Sequence, residues 1–294
     1  TTDINLANLN CCDISGIHNF TKLQNLNVSG NTLTDLPELP QSLVELECSN
    51  NNISKLYNLP DNIVNLYCFN NSINDIDKLP ANIERLDCSH NCLTQLPNLP
   101  KCINHLDCSY NSLVSLPRLP KNITHIMCDH NELNTLPVLP NALSVLDCSE
   151  NNLRYLPASL PDSLVSLQCS KNKLNALPAL PSKIEGLDCN ENELSKLPTF
   201  PNTLSYINVS NNKIKSLPKL PDSLKTLICS NNYIVTIPKL PEAIVHLDFS
   251  NNKVEMLTPF PYSLEYIDCR NNLFTILRDF SCPDNVRFLA DFGD

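Results

Sequence analysis

Apolar and polar positions along this chain recur with one period from end to end. Written around its asparagines, the unit reads L-x-x-L-x-C-x-x-N-x-L-x-x-L-P-x-L-P-x-x. The asparagines fall at Asn31, Asn51, Asn71, Asn91, Asn111, Asn131 and Asn151, then at Asn172, Asn192, Asn212, Asn232, Asn252 and Asn272. Each step is 20 residues except the 21 from Asn151 to Asn172, where Pro157-Ala158-Ser159-Leu160-Pro161 holds one residue more. A period this short and this regular marks a stack of small units, none able to bury its apolar face alone. Leu106-Asp107-Cys108-Ser109 alternates apolar and polar, which predicts a short, half-buried strand. The asparagine after it turns the chain, and its amide can bond backbone groups that the turn leaves buried. The returning segment, as in Leu116-Pro117-Arg118-Leu119-Pro120, has no helical period. Its prolines fix φ and remove donors, so it is expected to be extended and away from any ladder.

A degenerate first copy is read over residues 1–22, with Ile4, Leu9, Cys12, Ile14, Ile17 and Phe20 set against Leu23, Val28, Asn31, Leu33, Leu36 and Leu39. That alignment puts a cysteine at the asparagine position. Regular repeats then run over 23–283, and 284–294 is read as a C-terminal cap or tail. Phe280, Val286, Phe288, Leu289 and Phe292 are expected to fold over the last repeat and cover its core.

The L-P-x-L-P unit, present along essentially the whole chain, resembles the bacterial leucine-rich repeats of the LPX subfamily, found in secreted YopM-like effectors and IpaH-type ubiquitin ligases. The resemblance implies an α/β leucine-rich repeat solenoid. It would be a right-handed horseshoe of about fourteen repeats, with a concave parallel β-sheet and an extended, polyproline-like convex side with little helix. It also implies a protein-interaction module that a bacterium secretes into the reducing cytoplasm of a host cell, where it binds a host protein. The alternative is the substrate-recognition part of a larger ubiquitin ligase effector. The two-helix N-terminal cap usual in those effectors is not evident in Thr1–Phe20.

Composition narrows the chemistry. The 294 residues hold 23 prolines against 4 glycines, and no Gly-rich phosphate-cradling motif is present. Net charge is −10, which disfavours nucleic acid and anionic lipid. There is no apolar run of membrane-spanning length and no basic-then-apolar leader pattern at the start, so neither a nucleic acid nor a membrane partner is expected. Of fifteen cysteines, ten (Cys48, Cys68, Cys88, Cys108, Cys128, Cys148, Cys169, Cys189, Cys229 and Cys269) share one repeat position. Val28, Val209 and Phe249 fill that position elsewhere, so it reads as a core site where cysteine serves as a small hydrophobe. An odd total and a stack without C-x₂-C clusters argue against disulfides and zinc, and for a reducing compartment. The triplets Cys11-Cys12-Asp13 and Cys282-Pro283-Asp284 echo one used by the ligases, but they read as chain-end features rather than catalytic ones. No Ser–His–Asp constellation is apparent. The chain is read as no enzyme, with no cofactor and no resident metal.

Candidate function lies on the polar positions that flank each buried strand residue. One column runs Asn27, Glu47, Tyr67, Asp87, Asp107, Met127, Asp147; its neighbour runs Asn25, Glu45, Asn65, Arg85, His105, His125, Val145. Aromatic, Met and Arg groups gather in repeats four to seven, as they do at interface centres. The predicted contact residues are Tyr67, Phe69, Arg85, Asp87, His105, Asp107, Tyr110, His125, Met127 and Asp147. Their acids would suit a partner with a basic surface, approached by a monomer. His105 and His125 on adjacent strands also permit a zinc ion, although exposed histidines so placed are usually only that. Lys215, Lys219, Lys225 and Lys239 read as a solvated face.

Overall fold

A computed structural model describes residues 1–256, 259–274 and 286–291. The chain divides into two compact units, Thr1–Asn152 and Leu153–Asp294. Both are turns of a parallel-sheet solenoid of about fourteen coils with almost no helix. The one helical element among the described residues is a 3₁₀ turn at Ile17–Asn19.

In the first unit the strands are β1 (Asp3–Asn5), β2 (Asn25–Asn27), β3 (Glu45–Glu47), β4 (Lys55–Leu56), β5 (Asn65–Tyr67), β6 (Asp75–Ile76), β7 (Arg85–Asp87), β8 (His105–Asp107), β9 (His125–Met127) and β10 (Val145–Asp147). All but β4 and β6 stack in parallel, with each residue level with its counterpart one repeat on: Arg85 beside His105, His105 beside His125, Asp87 beside Asp107. The second unit carries β11 (Ser166–Gln168), β12 (Gly186–Asp188), β13 (Tyr206–Asn208), β14 (Thr226–Ile228), β15 (His246–Asp248), β16 (Tyr266–Asp268) and β17 (Arg287–Leu289), again parallel and in register.

Three residues per strand are too few to stand alone, so the coils depend on what lies beneath them. In one repeat Ile103, Leu106, Cys108, Leu113, Leu116 and Leu119 are all buried, and the same six positions recur along the stack. Every cysteine of the shared position is fully buried, as are Val28, Val209 and Phe249, which bears out the core reading. Several of these thiols donate along the stack: Cys128 Sγ lies 3.2 Å from the Asp147 carbonyl oxygen, and Cys68 Sγ 3.4 Å from that of Asp87. Burial pushes their pKa values far up.

The asparagines do more than turn the chain. Asn131 Nδ2 donates to the carbonyls of Cys128 and Asp129 in its own coil (3.2 and 3.0 Å) and to Cys108 in the preceding one (3.0 Å). Its Oδ1 accepts the Leu113 N–H of the preceding coil at 2.9 Å. One buried amide thus closes its own turn and ties it to its neighbour, and the pattern repeats at Asn151 and Asn192.

The proline-bearing side is extended, as expected, with one departure. Where Tyr57 and Asp77 replace the first proline of L-P-x-L-P, the backbone N–H is restored. There β4 and β6 pair in parallel, and the Asp77 N–H donates to the Leu56 carbonyl at 3.2 Å. Where proline fills the position, it forbids that bond. The extra residue at Pro157–Pro161 is absorbed as an exposed bend at Ala158–Ser159, so that Leu156 and Leu160 both stay buried.

The first copy needs correction. The strand register pairs Ile4 with Leu26, not Leu23, so the offset is 22 residues rather than 19. Leu9 then falls at the asparagine position and stands 60% exposed. It offers no amide, yet the Leu9 and Cys11 N–H groups both donate to Asn31 Oδ1 of the next coil. At the other end, Val286 precedes β17, which adds a strand beside β16 and brings Phe288 level with Ile267. Phe280, Phe292 and the Cys282-Pro283-Asp284 triplet lie outside the described residues.

Two outcomes check this picture. Asn131→Ala leaves a buried N–H and carbonyls of two coils unsatisfied, and should destabilise the protein by about 2–4 kcal/mol in urea denaturation. In native protein, a thiol reagent should reach only the exposed or partly exposed Cys11, Cys12, Cys92 and Cys102 among the described cysteines, and the ten stacked thiols only after denaturant is added.

Candidate functional site

In β5, β7, β8 and β9 the middle side chain is buried and the first and third are at least partly exposed; in β10 Val145 is partly exposed and Asp147 is buried. The two outward columns of the first unit are therefore continuous ridges whose neighbours are fixed by strand register. Tyr67, Asp87, Asp107, Met127 and Asp147 follow one another on one ridge; Arg85, His105 and His125 do so on the other. The structure brings these eight predicted residues together on one face of β5, β7, β8, β9 and β10.

The ridge of Arg85, His105 and His125 is closely packed. The His105 and His125 rings stack with centroids 5.0 Å apart. Partial burial, then Arg85 and His125 beside it, hold the His105 pKa below the usual imidazole value, against the pull of Asp107. His125 Nδ1 meets Thr124 Oγ1 at 2.9 Å. Among the described residues, no group of three or more His, Cys, Asp or Glu side chains is placed to hold a metal ion.

The acids carry a second task that residue types alone did not reveal. Asp87 Oδ1 accepts the Ser89 N–H at 3.1 Å and its hydroxyl at 2.7 Å; Asp107 does the same with Ser109 at 3.0 and 2.6 Å. Asn27 fills the role in its own coil, toward Ser29. The D-x-S and N-x-S spacing is an Asx-type turn closing the strand, and it was visible in the sequence as such. One carboxylate oxygen is thereby engaged, while Oδ2 of Asp87 and of Asp107 has no hydrogen-bond partner among the described residues. Burial raises the Asp87 pKa, the Ser89 bonds opposing it.

Phe69 and Tyr110 lie elsewhere. Phe69 is half-buried two residues after β5, and Tyr110 sits in the turn after β8 with φ 51°. Asparagine or Gly30 takes that left-handed position in most coils, but His90, Tyr110, His130, Glu150, Lys171 and Glu191 take it in six consecutive ones. A side chain there carries strain of about 1–2 kcal/mol. Part is offset by ring stacking, worth about 0.5–1.5 kcal/mol per pair: His90 on Tyr110 at 4.1 Å and Tyr110 on His130 at 3.8 Å. His130 also contacts Asp129 Oδ2 at 2.8 Å and Glu150 Oε2 at 3.0 Å. Four of the six histidines, His90, His105, His125 and His130, crowd into one stretch of the sequence, and the structure divides them between a strand ridge and a turn column.

No family model matches the sequence, and no curated protein does. Solved structures match it. Against YopM of Yersinia pestis, described as a leucine-rich effector protein, identity is 31% with TM-score 0.83, covering 99% of this chain and 89% of that one. YopM from Yersinia enterocolitica WA-314 is 28% identical with TM-score 0.59, over 99% and 91%. The functional domain of InlJ from Listeria monocytogenes, which includes a cysteine ladder, shares the fold at 24% identity and TM-score 0.82, over 98% of this chain and 62% of that one.

The turn geometry yields a test. Asn27 already makes the bonds that Asp87 makes, so Asp87→Asn keeps the turn and removes a charge that burial penalises. Its folded-state pKa being raised, ionised Asp87 opposes folding above that pKa and is relieved as protonation proceeds toward the unfolded value. Thermal unfolding at pH 7 should therefore give Asp87→Asn the higher Tm, with the gap closing as pH falls through the acidic range toward 3.8.

Proposed function

This chain belongs to the leucine-rich repeat family represented by YopM, and from that membership and its strand ridges we propose that it is a protein-binding effector that docks a host protein on the exposed face of β5, β7, β8, β9 and β10. The observation that carries the reading is the continuity of the two ridges: Tyr67 and Met127 among aspartates on one, Arg85 and two stacked histidines on the other. Register holds the backbone of these groups in fixed order, so little backbone entropy is lost on docking. Tyr67, His105, His125 and Met127 supply contact area at the centre. Asp87 and Asp107, each with an oxygen left over from its turn, draw in a partner's lysines and arginines. Asp147 extends the acidic row but is itself buried.

Solenoids of this family generally serve as interaction modules rather than catalysts. The likeness to the Yersinia effector supports secretion by a bacterium and action in a host cytoplasm, and a core built on a stack of buried cysteines suits that reducing compartment. The LPX subfamily is supported by the motif itself, and the binding species is proposed to be a monomer.

Immobilised protein should capture a defined set of proteins from host cytosol at low salt. Tyr67→Ala with His105→Ala should abolish that capture, whereas Val138→Ser, on the proline-bearing side, should leave it intact. Equal capture by all three proteins overturns the assignment to the strand face.

A further inference from the structure

On the proline-bearing side of the first unit, away from the strand ridges, a cavity of about 640 Å³ opens between two coils. It is lined by Lys101, Arg118 and Lys121, with Leu119 and Pro120 supplying an apolar wall and Asn122 an amide. No carboxylate lines it, in a chain of net charge −10. None of the three cations has an ion pair or hydrogen bond among the described residues.

The repeat shows what these positions do elsewhere. Two coils earlier, the equivalents of Lys101 and Arg118 are Asp61 and Lys78, which form an ion pair at 3.3 Å. Further along, the Lys101 position is taken by acids at Asp162, Asp222 and Glu242. Lysine fills it only in the two coils that border this cavity. The change replaces an attractive pair with like charges lining one cavity, an arrangement that is unfavourable until an anion occupies it. Arg118 offers a planar fork suited to bidentate oxyanion binding, and the two lysines supply point charges on either side.

We propose that this cavity is a binding site for a phosphate monoester borne on a small organic ligand, with the phosphate between Lys101, Arg118 and Lys121 and the organic part against Leu119 and Pro120. The site is separate from the strand face and does not depend on the protein-binding reading.

The test is isothermal titration calorimetry at low ionic strength with phenyl phosphate and inorganic phosphate. Phenyl phosphate should bind saturably at one site, more tightly than inorganic phosphate, and about tenfold more weakly at 0.15 M salt. Arg118→Gln should weaken binding by about tenfold or more. Lys101→Asp, which re-creates the pair seen at Asp61 and Lys78, should abolish it while the thermal unfolding temperature holds or rises. Lys239→Gln, a basic residue on the same side in the second unit, should bind as the wild type does. Absence of saturable binding overturns the proposal. So does equal weakening by Lys239→Gln, or a Lys101→Asp variant that is folded and still binds. Inorganic phosphate binding as tightly as phenyl phosphate would overturn the part assigned to the apolar wall.

Discussion

The asparagine that closes each coil is the contact on which the rest of the structure depends. Three-residue strands gain little from their own ladder, and the leucines beneath them would collapse equally well in other registers. The buried amide removes that freedom. By donating to carbonyls of its own turn and of the coil before, and accepting an N–H from that earlier coil, it holds adjacent repeats at one offset. A buried amide left unmatched is strongly unfavourable, so a slipped register is penalised at every coil. The first copy lacks an amide of its own, Leu9 standing exposed in that place, and it is tied to the next coil by Asn31, whose Oδ1 accepts the Leu9 and Cys11 N–H groups just as later asparagines accept from the coil before them.

Fixed register turns repeated sequence into continuous surface. Arg85, His105 and His125 are twenty residues apart in sequence and adjacent in space, and so are Asp87 and Asp107. The acids are held by their bonds to the following serines, a turn that asparagine makes equally well at Asn27. Their charge is therefore not needed by the turn, and in Asp87 burial makes it unfavourable. A carboxylate retained where an amide would serve is better explained by what docks on it than by what it holds together. The six unusual left-handed residues belong to the same logic. His90, Tyr110 and His130 tolerate a strained backbone in consecutive coils while stacking on one another, which places a rigid aromatic column along the turn edge of the strand face.

The proline-bearing side varies by different rules. Prolines keep its backbone out of any ladder, and the loss of two of them at Tyr57 and Asp77 is enough for a two-stranded sheet to form. Its leucines stay in the core, while the exposed side chains between them change from coil to coil. An acid that pairs with a lysine at Asp61 can thus become Lys101 lining one cavity with Arg118. Strand face and proline side therefore present different chemistry.

Period, core positions, the extended return and the apolar role of ten cysteines were legible in the sequence, because each is a one-dimensional pattern that burial enforces identically in every coil. Most of the candidate strand face was legible too, once the period set which residues are neighbours. What the tertiary structure alone decided lies where local geometry departs from the average coil. It shifted the first copy by three residues, placed Tyr110 in a turn rather than on a strand, and split one histidine cluster into a ridge and a column. It also set Lys101, Arg118 and Lys121 around a single gap. A repeat fixes which side chains share a column. Only backbone angles and hydrogen-bond partners fix which way a side chain leaves the turn, and whether the space beside it is filled.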